Sequence, residues 1–87
     1  MNYQISYSLS VPSDIAAFPQ SIKDRIRKAI EDKLITDPAR FGNPLRKSLK
    51  GYWKLRAGDY RVLYKISGHN VLILKIGHRK EIYKNLR

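Results

Sequence analysis

Three segments with alternating side chains follow one another at hairpin spacing over residues 52–77. They are separated by Gly58-Asp59 and Gly68-His69, and two-residue turns that begin with glycine commonly join antiparallel strands. This spacing restricts the second half of the chain to a short antiparallel meander. The predicted strands are Tyr52–Ala57, Tyr60–Ser67 and Asn70–Gly77.

Pairing the first two strands across the Gly58-Asp59 turn sorts their side chains into two unlike faces. In this register Arg56 faces Arg61 and Lys54 faces Leu63, and side chains alternate along each strand. A slip of one residue would mix the two sets, so the register is well specified. One face is apolar and is expected to pack on helices; it carries Trp53, Leu55, Val62, Tyr64 and Ile66. The other, which we call the basic face, is open to a ligand and carries Tyr52, Lys54, Arg56, Arg61 and Lys65.

The first half of the chain predicts one strand and two helices. Tyr3, Ile5, Tyr7 and Leu9 alternate with polar residues, as in a half-buried strand. Pro12-Ser13-Asp14 offers an N-cap for a short helix over 13–18. A stripe repeated every four residues predicts a second helix over about 20–36, followed by a connection over 37–51; the stripe is Ile22, Ile26, Ile30 and Leu34.

The expected fold class is therefore α+β. It consists of a small, mainly antiparallel sheet of about four strands, with two N-terminal helices packed on one face. Eighty-seven residues suit a single domain, over residues 1–87. The tail, Arg79–Arg87, is expected to form a helical turn or a flexible end.

The net charge of +11 is concentrated in the half of the chain that holds the three strands. Residues 44–87 contain twelve of the eighteen Lys and Arg residues and only two acids, Asp59 and Glu81. Residues 1–43 contain six cations and five acids, so their charges nearly cancel. A field this uneven attracts a polyanion, of which RNA and DNA are the usual examples.

The side chains exclude several kinds of enzyme. The chain has no cysteine, which rules out thiol catalysis and cysteine-ligated zinc. Its acids are dispersed and offer no carboxylate pair for two-metal chemistry, so we expect neither a metal nor another cofactor. The two histidines stand alone: His69 is expected to be an exposed turn residue, whereas His78, beside Arg79, is a candidate for contact with phosphate.

RNA cleavage without a metal is chemically possible because RNA carries its own nucleophile, the 2′-OH. Clustered Lys and Arg residues stabilise the developing charge, a lysine can serve as general base, and tyrosine can stack on a nucleobase. The same side chains are also compatible with a surface that only binds nucleic acid or protein. The residues of these types are Lys54, Arg56, Arg61, Arg79 and Tyr83.

A cytoplasmic location is expected. The N-terminal residues lack the basic stretch followed by an apolar run that marks a signal peptide. No apolar segment approaches the roughly 20 residues that a membrane-spanning helix requires.

Two motifs in the chain resemble those of a known family. The first is Leu49-x-Gly51-x-Trp53-Lys54-Leu55-Arg56-x-Gly58-Asp59-Tyr60-Arg61-Val62-x-Tyr64, and the second is Gly77-His78-Arg79-x-Glu81-Ile82-Tyr83. Both are similar to motifs of the RelE/ParE superfamily, the toxins of type II toxin–antitoxin systems, and the second most resembles the RelE branch. The predicted order of a strand, two helices and three strands agrees with a RelE-like toxin domain.

The resemblance implies a ribosome-dependent mRNA endonuclease, or mRNA interferase, that inhibits translation. Such a toxin enters the ribosomal A site and cuts the codon there by means of the mRNA 2′-OH, leaving a 2′,3′-cyclic phosphate. By the same resemblance, Lys54 activates the 2′-OH or stabilises the transition state, and Arg61 contacts the phosphate. Arg79 protonates the leaving group or stabilises charge, and Tyr83 stacks on the substrate.

One position departs from the family pattern, because Tyr52 stands where the best-known members have a second catalytic lysine. The nearest lysines before it are Lys47 and Lys50. The RNA contacts expected around the catalytic residues are Lys47, Lys50, Tyr52, Arg56, Lys65, His78 and Lys80.

The resemblance also implies a cognate antitoxin of the RelB type, which would bind across the basic face or displace the C-terminal segment. An alternative is a ParE-like toxin that inhibits DNA gyrase by protein binding, a function that does not require the cluster of cations and tyrosine. A third interpretation is an inert or antitoxin-bound basic module.

Overall fold

The computed structural model describes residues 2–84, and a five-stranded mixed sheet forms its centre. The strands are β1 (Gln4–Tyr7), β2 (Asn43–Pro44), β3 (Trp53–Ala57), β4 (Tyr60–Ser67) and β5 (Asn70–His78). They lie in the order β1-β5-β4-β3-β2, with β1 parallel to β5 and every other pair antiparallel.

The prediction of about four mainly antiparallel strands is corrected by this arrangement. Strand β1 lies parallel to β5. Parallel strands need a long crossover connection, and the helices between β1 and the meander belong to it. Strand β2 has only two residues and lies within the segment predicted as a connection. The first strand is also shorter than its alternating pattern, since Leu9 is 99% exposed in the turn that follows β1.

Among the described residues, three α-helices precede the meander, one more than predicted. They are α1 (Val11–Ile15), α2 (Gln20–Ala29) and α3 (Pro38–Phe41). Helix α2 continues as a π-helical turn over Ile30–Leu34, close to the predicted end at residue 36. Within residues 2–84, no helix is long and apolar enough to cross a membrane.

Helix α1 begins at Val11 and ends at Ile15, so the predicted span of 13–18 is wrong. Proline is tolerated in the first turn of a helix, where an N–H would have no partner, and Pro12 therefore lies inside α1. The Asp14 carboxylate does not cap the helix. It accepts the Ile76 backbone N–H at 3.1 Å and lies 3.8 Å from the Lys75 Nζ, which attaches α1 to strand β5.

The predicted connection over 37–51 is more ordered than expected. Asp37 caps helix α3, because its carboxylate accepts the Arg40 backbone N–H. A 3₁₀ turn over Lys47–Leu49 then leads into β3. The segment predicted as a connection therefore contains a short helix, a two-residue edge strand and a 3₁₀ turn.

The core lies between the helical layer and the apolar face of the sheet, as predicted. The predicted register of β3 and β4 is confirmed, with Leu55 opposite Val62 and Trp53 opposite Tyr64. Trp53 is half-buried and stacks on Tyr64 with their ring centroids 6.4 Å apart. The buried core residues are Val11, Ile26, Ile30, Leu34, Leu55, Ala57, Val62, Tyr64, Val71, Ile73 and Ile76.

Tyr64 ties the core to helix α3. Its side chain is fully buried, and its hydroxyl donates to the Pro38 carbonyl oxygen at 2.7 Å. A side chain at Gly42 would overlap the Tyr64 hydroxyl, so this approach requires glycine. Burial raises the pKa of Tyr64 above its ordinary value of 10.0, because the phenolate would lose its hydration.

Tyr64→Phe is expected to destabilise the protein by about 1–3 kcal/mol at neutral pH, because the Pro38 carbonyl loses its buried donor. Since the folded-state pKa is raised, the contribution of Tyr64 is fully present below about pH 10 and is lost as the pH rises further. The variant should therefore lose less stability between neutral and strongly alkaline pH than the parent. Urea unfolding at a series of pH values checks this, and an unchanged alkaline slope would contradict it.

Candidate active site

The basic face forms on the side of the sheet opposite the helices. Arg56 lies opposite Arg61 and Lys54 lies opposite Leu63, as the register predicts. Lys54 and Arg61 are therefore diagonal neighbours on one face, a relation that typically places Cα atoms roughly 7–8 Å apart. Leu63 lies on the same face and is buried, a feature that the prediction left out.

Arg61 is the buried cation of the basic face. Its side chain is 9% exposed, and its Nη1 donates to the Gly58 and Tyr60 carbonyl oxygens, each at 2.9 Å. Both acceptors belong to the β3–β4 turn or its exit, and Gly58 has a φ of +63°, as its place in a tight turn requires. The guanidinium is thus held in one place by the backbone, with other N–H groups left for a ligand.

The C-terminal segment, residues 79–84, folds back over the sheet beside Arg61. The Glu81 and Ile82 N–H groups both donate to the His78 carbonyl oxygen at 2.9 Å, which reverses the chain direction. Ile82 is 1% exposed, and a Cβ placed on Gly77 would lie 2.9 Å from its Cδ1. Gly77 pairs with Arg61 and therefore lies on the basic face. Ile82 packs there, in the space that a side chain at position 77 would fill. The predicted tail thus forms turns as far as residue 84, and its last residues, 85–87, lie outside the described residues.

This fold-back brings Arg79 to the same turn that holds Arg61. The Arg79 backbone N–H donates to the Asp59 carbonyl oxygen at 2.8 Å, and its Nε lies 3.8 Å from Asp59 Oδ1. The Arg79 side chain is 53% exposed and remains accessible. Two arginines that are 18 positions apart in sequence therefore contact the same turn.

A cleft of about 490 Å³ continues the basic face toward the edge strand β2. Lys54 is half-buried in its wall and Arg56 is exposed. Arg46 also lines the cleft but was absent from the predicted site. In the sequence, Arg46 stands directly before the predicted RNA contact Lys47. Side-chain alternation does not define the path of this segment, so the position of Arg46 could not be predicted. The complete lining is Asn43, Pro44, Leu45, Arg46, Lys54 and Arg56.

At the opposite end of the basic face from Arg61, Tyr52 and Lys65 form a pair. The Lys65 Nζ lies 4.7 Å from the Tyr52 ring centroid, in a cation–π arrangement. Lys47 and Lys50 are exposed around the 3₁₀ turn that leads to this end. Lys47 has a φ of +58°, a left-handed conformation that is uncommon for residues other than glycine.

The remaining predicted residues are divided between two sides of the sheet. Tyr83 is half-buried in the last described turn, and Lys80 is exposed beside it. His78 pairs with Tyr60 and packs edge-on against its ring, with centroids 5.5 Å apart, on the side that faces the helices. Its Nδ1 accepts the Lys80 backbone N–H at 3.1 Å. The structure therefore does not bring His78 to the basic face.

The arrangement brings cations from separate elements to the basic face and to the turn at its end. Lys54 comes from β3, Arg61 from β4, and Arg79 from the C-terminal segment. Arginine grips phosphate with two parallel hydrogen bonds, and an amine can assist proton transfer. Such a set can bind a phosphodiester and stabilise added negative charge on it.

Comparisons with known proteins agree with this geometry. A family model described as the ParE toxin of type II toxin–antitoxin system, parDE, matches residues 5–83. Toxin RelG of Mycobacterium tuberculosis is 33% identical over 86 residues, which cover 97% of this chain and 99% of that protein. Toxin RelE of the same organism is 32% identical over 84 residues, which cover 94% of this chain and 87% of that protein.

The fold has a counterpart among solved structures. A chain of the toxin–antitoxin complex RelBE2 from Mycobacterium tuberculosis matches with a TM-score of 0.85 at 31% identity, covering 91% of this chain and 100% of that chain. The family match, these relatives and the two motifs agree. The chain belongs to the RelE/ParE superfamily of type II toxin–antitoxin toxins, in its RelE branch.

Proposed function

We propose that this toxin is a ribosome-dependent, metal-independent mRNA endonuclease that inhibits translation. The observation that carries the proposal is that Arg61, which shares a sheet face with Lys54, and Arg79 are both bonded to the Gly58-Asp59 turn. A formal charge of +10 over residues 44–87 favours an RNA partner. The relatives named RelE and RelG support the same activity.

In the proposed reaction, the 2′ oxygen of the mRNA attacks the adjacent phosphorus. Lys54 helps to remove the 2′ proton or stabilises the transition state, while Arg61 and Arg79 bind the phosphate oxygens as negative charge develops. The bond from phosphorus to the 5′ oxygen then breaks and that oxygen receives a proton; Arg79 either donates this proton or stabilises the charge on the leaving oxygen while water supplies it. The products are a 2′,3′-cyclic phosphate and a 5′-hydroxyl end.

Aromatic and basic side chains around this centre would position the message. Tyr83 stacks on the substrate base, as aromatic rings do in single-stranded RNA recognition. Arg56 and Lys65 lie on the same face, and Lys47, Lys50 and Tyr52 extend it. These residues would bind the phosphates that flank the cut.

A cognate antitoxin is the second proposed partner. The matched structure is a toxin–antitoxin complex, RelBE2. An antitoxin with acidic residues would complement the net charge of +11 and neutralise the basic face. Because ribosomes are the proposed target, the cytoplasm is the proposed place of action.

Inducible expression followed by primer extension on a translated mRNA tests the activity. We expect cuts in phase with codons soon after induction, and an untranslated copy of the same message should stay intact. The matched control is Lys28→Ala, a change at an exposed cation of helix α2, which should cut like the parent. An intact message in growth-arrested cells would contradict the proposal.

The alternative is a ParE-like inhibitor of DNA gyrase, because the matching family model is that of ParE. It predicts loss of plasmid supercoiling while mRNA stays intact. Measuring supercoiling in the same induced cells separates the two functions.

A further inference from the structure

Two residues outside the proposed catalytic set hold the segment that carries Arg79. Asp59 contacts Arg79 twice, through its carbonyl oxygen at 2.8 Å and its carboxylate at 3.8 Å. Ile82 is buried against Gly77, three residues after Arg79. Arg79 is thus attached on both sides, by a turn at its own backbone and by an apolar anchor further along the segment.

The apolar anchor is the stronger of the two attachments. Burying an isoleucine side chain removes a large apolar surface from water, which strongly favours the docked segment. The Asp59–Arg79 ion pair is largely exposed, with side chains 68% and 53% accessible, and such pairs contribute little. Ile82 therefore keeps the segment folded back, and the Asp59 carboxylate orients the Arg79 guanidinium.

The same turn also fixes the other arginine. The carbonyl oxygens of residues 58, 59 and 60 accept, in order, from the Arg61 side chain, the Arg79 backbone and the Arg61 side chain again. The turn therefore sets the position of Arg61 relative to Arg79, provided that the segment remains docked through Ile82.

We propose that Ile82 and Asp59 are positioning residues, which hold Arg79 beside Arg61 at the distance that binding of one phosphodiester requires. The inference rests on the proposed function. Neither side chain needs to touch RNA in this role. Undocking the segment would leave the cations of β3 and β4 in place to bind RNA, but would lose the geometry needed for the reaction.

Single-turnover cleavage of mRNA on programmed ribosomes, with the full-length toxin, tests this role. For Ile82→Ala we expect the rate at saturating toxin to fall by about 10²-fold, the cost of a small misplacement of catalytic groups, and by a larger factor than the half-saturating concentration rises. Ile82→Val keeps most of the buried surface and should restore a nearly parental rate. Asp59→Ala should lower the rate by roughly threefold, as expected for an exposed ion pair.

Hydrogen exchange of the Arg79 amide gives a readout that does not depend on activity. The Arg79 N–H is bonded to the Asp59 carbonyl oxygen, so undocking in Ile82→Ala should accelerate its exchange, while the amides of β4 stay protected. The matched control for the lost acid is Asp32→Ala, an exposed acid of the helical layer, which should change neither rate nor exchange.

The two proposals fail in different ways. If the parent cleaves and Ile82→Ala is folded yet cleaves at the parental rate, the positioning role is wrong. Unchanged Arg79 exchange in Ile82→Ala would also overturn it, even if the rate falls. If the parent itself does not cleave, the proposed function fails, and the exchange data still decide whether Ile82 docks the segment. Should Ile82→Ala not fold, Asp59→Ala with a parental rate would count against the inference.

Discussion

Replacing Arg61 or Arg79 by alanine is expected to slow mRNA cleavage by roughly 10²–10³-fold, the usual effect of losing a group that stabilises transition-state charge. Both guanidinium groups contact the same turn, Arg61 through the Gly58 carbonyl oxygen and Arg79 through the Asp59 carboxylate, and under the proposed function both bind the scissile phosphate. Lys54→Ala should have an effect of similar size, since Lys54 faces the same surface. Single-turnover rates on programmed ribosomes measure all three, and growth arrest should disappear with each.

The fold must survive these changes for the result to be informative. Arg79 is half-exposed, so Arg79→Ala should melt within a few degrees of the parent. Arg61→Ala removes the side-chain donor from the Gly58 and Tyr60 carbonyl oxygens, which can lower stability. Its thermal unfolding must therefore be measured together with its cleavage rate. The control variant Lys28→Ala also removes one cation, from the exposed side of helix α2, and should cleave mRNA at the parental rate. Parental cleavage in both arginine variants would mean that the reaction takes place elsewhere.

A message that carries 2′-deoxyribose at the cleaved nucleotide is expected to remain uncut. The proposed reaction takes its nucleophile from the RNA, so removing this one oxygen removes the attacking group while leaving the phosphates that the basic face binds. The measurement is cleavage of a chemically synthesised mRNA on programmed ribosomes. Binding of the toxin to those ribosomes should be unchanged.

The position of the substitution provides the control. Deoxyribose placed two nucleotides from the cut should be tolerated, because that sugar does not react. Efficient cutting of the message with deoxyribose at the cleaved nucleotide would show that water is the nucleophile, and the roles given to Lys54 and Arg79 would then have to be abandoned.

The sequence was most informative where neighbours in the fold are also neighbours along the chain. The turn at Gly58-Asp59 fixes the pairing of β3 with β4, so the placement of Lys54, Arg56 and Arg61 on one face follows from alternation alone. The stripe of isoleucines on α2 likewise predicted the side that meets the sheet.

Long-range packing explains what alternation could not predict. The pairing of β1 with β5 joins residues such as Ile5 and Val71, and no local pattern specifies it. A register shift between Leu63 and Tyr64 changes which β5 residues face each side. In the candidate site, Ile82 packs over Gly77 beside the strand pair that holds Arg61, a contact between residues that no alternation pattern relates.

The parallel pairing of β1 and β5 affects the order in which the molecule can be completed during synthesis. Strand β1 is made first, but its partner in the sheet is the last strand to leave the ribosome. Folding that depends on so distant a pairing must wait for nearly the whole chain. The segment that carries Arg79 is made later still. A nascent toxin therefore lacks the arginine pair until the segment that carries Arg79 has left the ribosome, and under the proposed function it is harmless to translation until then.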